Sequence, residues 1–140
     1  MKYWDSSALV AFHVQQGSTA AMRDIYARDS DVLTWVLSDI EVRSSISRLG
    51  REGSLTQSSL SALVSHVEDF WESVVFVSML EPVKSRAKRL LRTHAIRAAD
   101  ALQLGAALTA AYDDTRGQEF VCLDERLSAA ALREGFTVLP

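Results

Sequence analysis

Four acids stand at points where the residue pattern changes character, and together they suit metal-assisted chemistry. Asp5 follows the bulky stretch Lys2-Tyr3-Trp4 and precedes Ser6-Ser7, while Glu41 lies three residues into a helical pattern opened by Ser38. Asp100 sits in the first turn or so of an alanine- and leucine-rich segment, and Asp124 directly follows Phe120 to Leu123. Carboxylates brought together repel one another and raise one another's pKa, so a cluster of four calls for a neutralising cation. Mg²⁺ or Mn²⁺ suits such a set, because both take octahedral oxygen coordination and retain several waters. An ion held there can acidify a water, align it with a phosphodiester and offset the developing charge; a second ion at about 3.5 to 4 Å would clamp the leaving oxygen. The expected chemistry is phosphodiester hydrolysis, with Asp5, Glu41, Asp100 and Asp124 catalytic and Asp5, Asp100 and Asp124 as metal ligands.

Each acid alone has a plainer reading. Asp5 before two serines and Asp124 before Glu125 both look like helix N-caps, and Ser38-x-x-Glu41 is a capping-box pattern. Asp100 resists that explanation, since an aspartate in so apolar a helix costs propensity and desolvation without an obvious capping gain. The four taken together outweigh the separate structural readings.

The elements that must position these acids follow from periodicity. Strand character marks Lys2 to Trp4, Val32 to Leu37, Val74 to Leu80, Phe120 to Leu123 and Phe136 to Leu139. Val74 to Leu80 is almost wholly apolar, as buried parallel strands are. Helical character marks Ala8 to Val14, Ala20 to Arg28, Ser38 to Leu49 with Gly50 as its C-terminal stop, Thr56 to Ser73, Val83 to His94 after Pro82, Ala98 to Ala111 around Gly105, and Arg126 to Glu134. Strands alternating with helices, with no hairpin signals, predict one domain over residues 1–140: an α/β, three-layer α/β/α fold around a central parallel sheet of about five strands. Ligands in such sheets bind at the carboxyl ends of the strands, where Asp5, Glu41 and Asp124 fall.

Composition narrows the partners. Of 140 residues, 48% are apolar and 24% charged, ordinary values for a globular chain. The net charge of -3 gives no overall attraction to a polyanion, so nucleic acid must be met by a local basic patch. Lys84, Lys88 and Arg92 repeat at four-residue spacing and form one stripe, either an RNA-binding track or a solvated helix face. Arg97 and Arg126, each beside a predicted ligand, are better placed for substrate or for supporting the site. One cysteine, Cys122, excludes an intrachain disulfide and a thiolate zinc cluster. No apolar run reaches the roughly 18 residues of a membrane helix, and no secretory leader is visible, so the expected location is cytoplasmic.

His13, His66 and His94 are scattered and read as surface residues, while Trp4, Trp35 and Trp71 read as core or dimer contacts. No Gly-x-Ser-x-Gly, phosphate loop or dinucleotide fingerprint is present.

With these residues in view, the sequence resembles the PIN-domain family, and in particular the VapC toxins of bacterial type II toxin-antitoxin pairs. The resemblance rests on Tyr3 to Val10, on Ser38-Asp39-Ile40-Glu41-Val42 with Arg48 further on, on Ala99 to Leu104, and on Phe120 to Leu127. These segments span essentially the whole chain. The resemblance implies an endoribonuclease using Mg²⁺ or Mn²⁺, inhibited by a small cognate antitoxin and usually a homodimer. It places Asp5, Glu41, Asp100 and Asp124 on the family's acidic quartet, and Ser6 on the small hydroxyl residue that orders the first acid. Cys122 departs from the family, which often has Ser or Thr two residues before the last acid.

Two other readings compete. In one, Asp5 accepts a phosphoryl group, but such α/β domains generally need Asp-x-Asp or a lysine after a late strand, and here serines follow. In the other, the fold is a catalytically silent binding domain acting through a protein partner.

Overall fold

The computed structural model describes residues 1–140. The elements run β1 (Lys2–Trp4), α1 (Ser6–His13), α2 (Thr19–Arg28), β2 (Val32–Trp35), α3 (Ser38–Arg51), α4 (Gln57–Trp71), β3 (Val75–Val77), α5 (Leu80–Thr93), α6 (Ala98–Ala110), β4 (Glu119–Val121), α7 (Glu125–Arg133) and β5 (Thr137–Leu139). The strands form a single sheet in the order β3-β2-β1-β4-β5, with every neighbouring pair parallel. The three-layer expectation is met.

Side chains alternate across the pleat, so one sheet feeds two cores. Tyr3, Trp35 and Phe120 point to a core completed by α5, α6 and α7. Trp4, Val32 and Val121 point to the opposite one, where α1, α2, α3 and α4 contribute Leu9, Met22, Ile25, Val42, Ile46 and Val67. Trp4 and Trp35 are both 1% exposed, and Trp71 packs at the edge of the second core.

Several sequence expectations shift. Val74 to Leu80 is not a buried central strand: β3 spans only three residues on a sheet edge, Val75 is 49% exposed, and Leu80 already opens α5. An apolar run alone does not separate a central strand from an edge strand leading into a helix. Gly50 does not stop α3, which continues to Arg51; Gly53, with φ +72°, lies in the turn beyond. His13 is buried rather than at the surface, and neither ring nitrogen has a partner. Burial, then the neighbouring His66 and Arg23, push its pKa down to about 4. His94 is also largely covered and pairs with Glu134 at 2.7 Å, leaving His66 as the exposed histidine.

Gly105 explains how α6 is held. A Cβ there would lie 2.9 Å from the Val83 carbonyl oxygen and 3.3 Å from the Ala87 nitrogen, so the backbones of α5 and α6 meet at this point. Gly105→Ala gains roughly 1 kcal/mol of helix propensity, yet the backbones must separate to admit the methyl group. We expect a net loss of about 1 to 3 kcal/mol, read as a lower urea midpoint. An unchanged or higher midpoint would mean that α5 and α6 approach less closely than described.

Candidate active site

The four acids converge from four separate elements on one cleft at the carboxyl end of the sheet. Asp5, Glu41, Asp100 and Asp124 all line it, together with Ser6, Arg48 and Arg97, in a volume of about 1240 Å³.

Asp5 directly follows β1 and caps α1: its Oδ2 accepts from Ser7 N at 2.9 Å and from the Ser7 hydroxyl. Asp124 caps α7, its Oδ1 accepting from Leu127 N at 2.8 Å. Both capping readings are therefore realised, without excluding a second role. Asp100 also caps, contrary to expectation, since its Oδ2 accepts from Arg97 N at 3.0 Å in the first turn of α6. The Ser38-x-x-Glu41 capping box does not form. Ser38 lies inside α3, and Glu41 Oε2 instead accepts from Gln103 Nε2 at 3.0 Å.

One regularity joins the four. Each carboxylate is fixed through a single oxygen, while Asp5 Oδ1, Glu41 Oε1, Asp100 Oδ1 and Asp124 Oδ2 accept no hydrogen bond from the protein. One oxygen orients the group and the other is free of protein donors. In the metal-free protein no three of the chain's acids, histidines and cysteine stand close enough together to hold a metal ion.

Electrostatics single out Asp5, only 3% exposed. Burial, opposed by its Ser7 hydrogen bonds and reinforced by the Glu41 charge, raises its pKa to about 6. Burial and the same Asp5 charge push the Cys122 thiol up to about 12, so it stays protonated and can donate to Asp5 Oδ2 across 3.6 Å. Cys122 thus supports the first acid as well as touching the Asp124 carbonyl at 3.5 Å.

The serine next to Asp5 that orders it is Ser7, not Ser6. Ser7 Oγ also accepts from Leu123 N at 3.0 Å, tying α1 to the strand end that carries Asp124. Ser6 lines the cleft.

A buried polar chain behind Glu41 went unread in the sequence. Tyr3 donates its hydroxyl to Gln103 Oε1 at 2.8 Å, and Gln103 Nε2 donates to Ser38 Oγ at 2.9 Å as well as to Glu41. Thr34 Oγ1 donates to the Trp4 carbonyl at 2.6 Å and lies 2.7 Å from Ser38 Oγ. Thr34 has one proton, so Ser38 supplies the proton between the two hydroxyls and every member is satisfied. Gln103 sits one turn from Asp100 on α6, and a lone amide in an alanine-leucine helix was the available signal.

The cations divide. Arg97 lines the main cleft, and Arg97 and Arg126 flank Asp100 and Asp124 in an adjoining groove. Lys84, Lys88 and Arg92 line a different groove on α5 with none of the acids of the quartet, and Lys84 pairs with Glu81 at 2.8 Å.

The PIN domain family profile matches residues 2–133, all but the ends of the chain, and that stretch contains the whole acidic cleft. The chain belongs to the PIN-domain family. This PIN domain is 31% identical over 138 residues to Ribonuclease VapC45 of Mycobacterium tuberculosis (strain CDC 1551 / Oshkosh), a match that covers 99% of the chain and 94% of that protein. The same figures hold for Ribonuclease VapC49 of Mycobacterium tuberculosis (strain ATCC 25618 / H37Rv). Both relatives are named as ribonucleases.

Proposed function

We propose that this PIN domain is a divalent-metal-dependent endoribonuclease acting as the toxin of a toxin-antitoxin pair. The observation that carries the reading is the set of four oriented carboxylates, each with an unengaged oxygen and all lining one cleft, in a chain whose full-length relatives are ribonucleases.

The donor set fits Mg²⁺ or Mn²⁺. All four groups are hard oxygen donors, and the buried Asp5, with Glu41 raising its pKa, is the sort of carboxylate a cation stabilises. Asp5, Asp100 and Asp124 would hold the ion. When bound, it supplies the positive charge that acidifies water and offsets charge on the phosphodiester. A backbone amide at the start of α1 helps hold Asp5, together with the Ser7 hydroxyl and the Cys122 thiol, and one at the start of α7 holds Asp124. Glu41, hydrogen-bonded by Gln103, would accept a proton from the attacking water. Arg97 and Arg126, which share a groove with Asp100 and Asp124, would hold phosphate there.

An antitoxin partner is supported by Leu37 and Ile40, apolar yet 47% and 63% exposed, with Ile40 on the cleft wall. Self-association is supported by Val75, Met79 and Leu80, all about half exposed at the β3 edge. A cytoplasmic location goes with the toxin reading; no helix is long and apolar enough to cross a membrane.

The test is cleavage of a panel of RNAs by antitoxin-free protein in Mg²⁺, Mn²⁺ or EDTA, alongside Asp100→Asn. Cuts that need the ion and fall at least about a hundredfold in the variant are expected. Cutting that persists in EDTA or in Asp100→Asn would reject the assignment, and transfer of a phosphoryl group to Asp5 from a small donor would favour the rival chemistry.

A further inference from the structure

The cleft is longer than its acidic centre. Beyond Glu41 it is lined by Ser44, Ser45 and Arg48 of α3, faced by Gln16 and Ser18 from the turn between α1 and α2. Glu41, Ser45 and Arg48 are four and seven residues apart and share a helix face. Arg48 stands about 10 Å further along α3 than Glu41, at 1.5 Å per residue.

Arg48 is exposed and makes no ion pair or side-chain hydrogen bond, although it borders a cleft that holds four acids. Arg43 on the same helix pairs with Glu68 at 2.7 Å. A cation in the last turn of a helix has a plain role, favourable interaction with the helix dipole. That role does not explain the neutral hydroxyl and amide groups between Arg48 and the acids. The same cleft is also lined by Arg97, which shares a groove with Asp100 and Asp124, so it holds two arginines as well as the four acids. Its lining includes no aromatic side chain on which a base could stack.

Building on the nuclease reading, we propose that this arm is a backbone subsite for RNA. Arg48 holds a phosphate on one side of the scissile bond, and Ser44, Ser45, Gln16 and Ser18 contact the intervening ribose and phosphate oxygens. Arg97 takes the chain on the other side. The arm grips the backbone without reading bases, so it sets affinity and register rather than sequence.

The experiment compares wild type with Arg48→Gln, Arg48→Lys and, as a change of equal charge elsewhere, Arg133→Gln. Cleavage of a labelled RNA oligonucleotide is followed at several salt concentrations. Arg48→Gln is expected to raise KM about tenfold with kcat within about twofold, and to make log(kcat/KM) less steep in log[salt] by about 0.7, the single-strand value for one phosphate. Arg48→Lys should restore most of the salt slope, and Arg133→Gln should change neither quantity. Anisotropy of the same RNA in EDTA measures binding without turnover and should lose the same slope. If wild type cuts no RNA, the nuclease reading falls, while the anisotropy slope still decides the subsite. An Arg48→Gln protein with wild-type KM and salt slope, or one matched by Arg133→Gln, overturns the proposal.

Discussion

Asp5→Asn is expected to abolish metal-dependent RNA cleavage while making the metal-free protein more stable at pH 8. The carboxylate and the amide have nearly the same shape, and Asn keeps an oxygen for the Ser7 amide that Asp5 now caps. What disappears is a buried negative charge. Folding raises the Asp5 pKa from 3.8 to about 6, mainly through burial. A carboxyl whose pKa rises on folding favours the folded state while protonated, so its contribution is complete below about pH 4 and is lost as pH rises through 6. At pH 8 the ionised wild-type side chain therefore costs about 3 kcal/mol, because each pH unit between the unfolded and folded values is worth about 1.4 kcal/mol. Asn does not carry that cost. Urea midpoints across pH 4 to 8 should show the variant ahead at the alkaline end and level at the acid end.

Mn²⁺ should narrow or reverse the gap, because binding adds more stability to the folded wild type than to the variant. Cleavage should drop about a thousandfold or more, equivalent to about 4 kcal/mol of lost transition-state stabilisation. At sub-saturating metal it should also fall in wild type as pH drops below 6, because protons then compete with the ion for Asp5. A variant less stable than wild type at every pH would mean that Asp5 is held for its cap alone.

The second large effect belongs to Gln103, which is 1% exposed and bridges Tyr3, Ser38 and Glu41. Gln103→Leu keeps the volume but leaves the buried Tyr3 hydroxyl without an acceptor. An orphaned buried donor costs about 1 to 3 kcal/mol, and Glu41 loses the bond that aims it. We expect cleavage to fall roughly ten- to a hundredfold, the usual scale for groups that orient a metal site's residues. Tyr3→Phe combined with Gln103→Leu separates the two effects. Removing both partners should recover much of the stability, whereas cleavage should stay low because Glu41 still lacks its amide. Recovery of both together would show that Gln103 acts through stability alone.

These residues also show what can be read from a sequence of this kind. That Asp5, Glu41 and Asp124 would come together in one cleft was legible because each follows a strand, and a parallel sheet brings the ends of its strands to one side. Gln103 and Tyr3 were not, because their contact joins positions a hundred residues apart and no local period encodes it. The caps at Asp5 and Asp124 were legible as alternatives to catalysis, yet each carboxylate caps through one oxygen and leaves the other unengaged, so the alternatives were never exclusive. Asp100 was valued for an apparent lack of a cap that it turns out to supply to Arg97. The extent of β3 was misread for a similar reason: Val74 to Leu80 is uniformly apolar, but whether another strand covers its outer edge depends on strand order, which hydrophobicity does not record.

The proposed chemistry has Asp5, Asp100 and Asp124 share one divalent ion, although no three such side chains stand close enough to hold a metal in the metal-free protein. Titration of Mn²⁺ into antitoxin-free protein, with free ion followed by electron paramagnetic resonance, tests this without RNA. Wild type should bind Mn²⁺ saturably. Asp5→Asn, Asp100→Asn and Asp124→Asn should each weaken binding at least about tenfold, and Glu41→Gln less so. Mn²⁺ binding that none of the three aspartate substitutions changes would contradict the shared site.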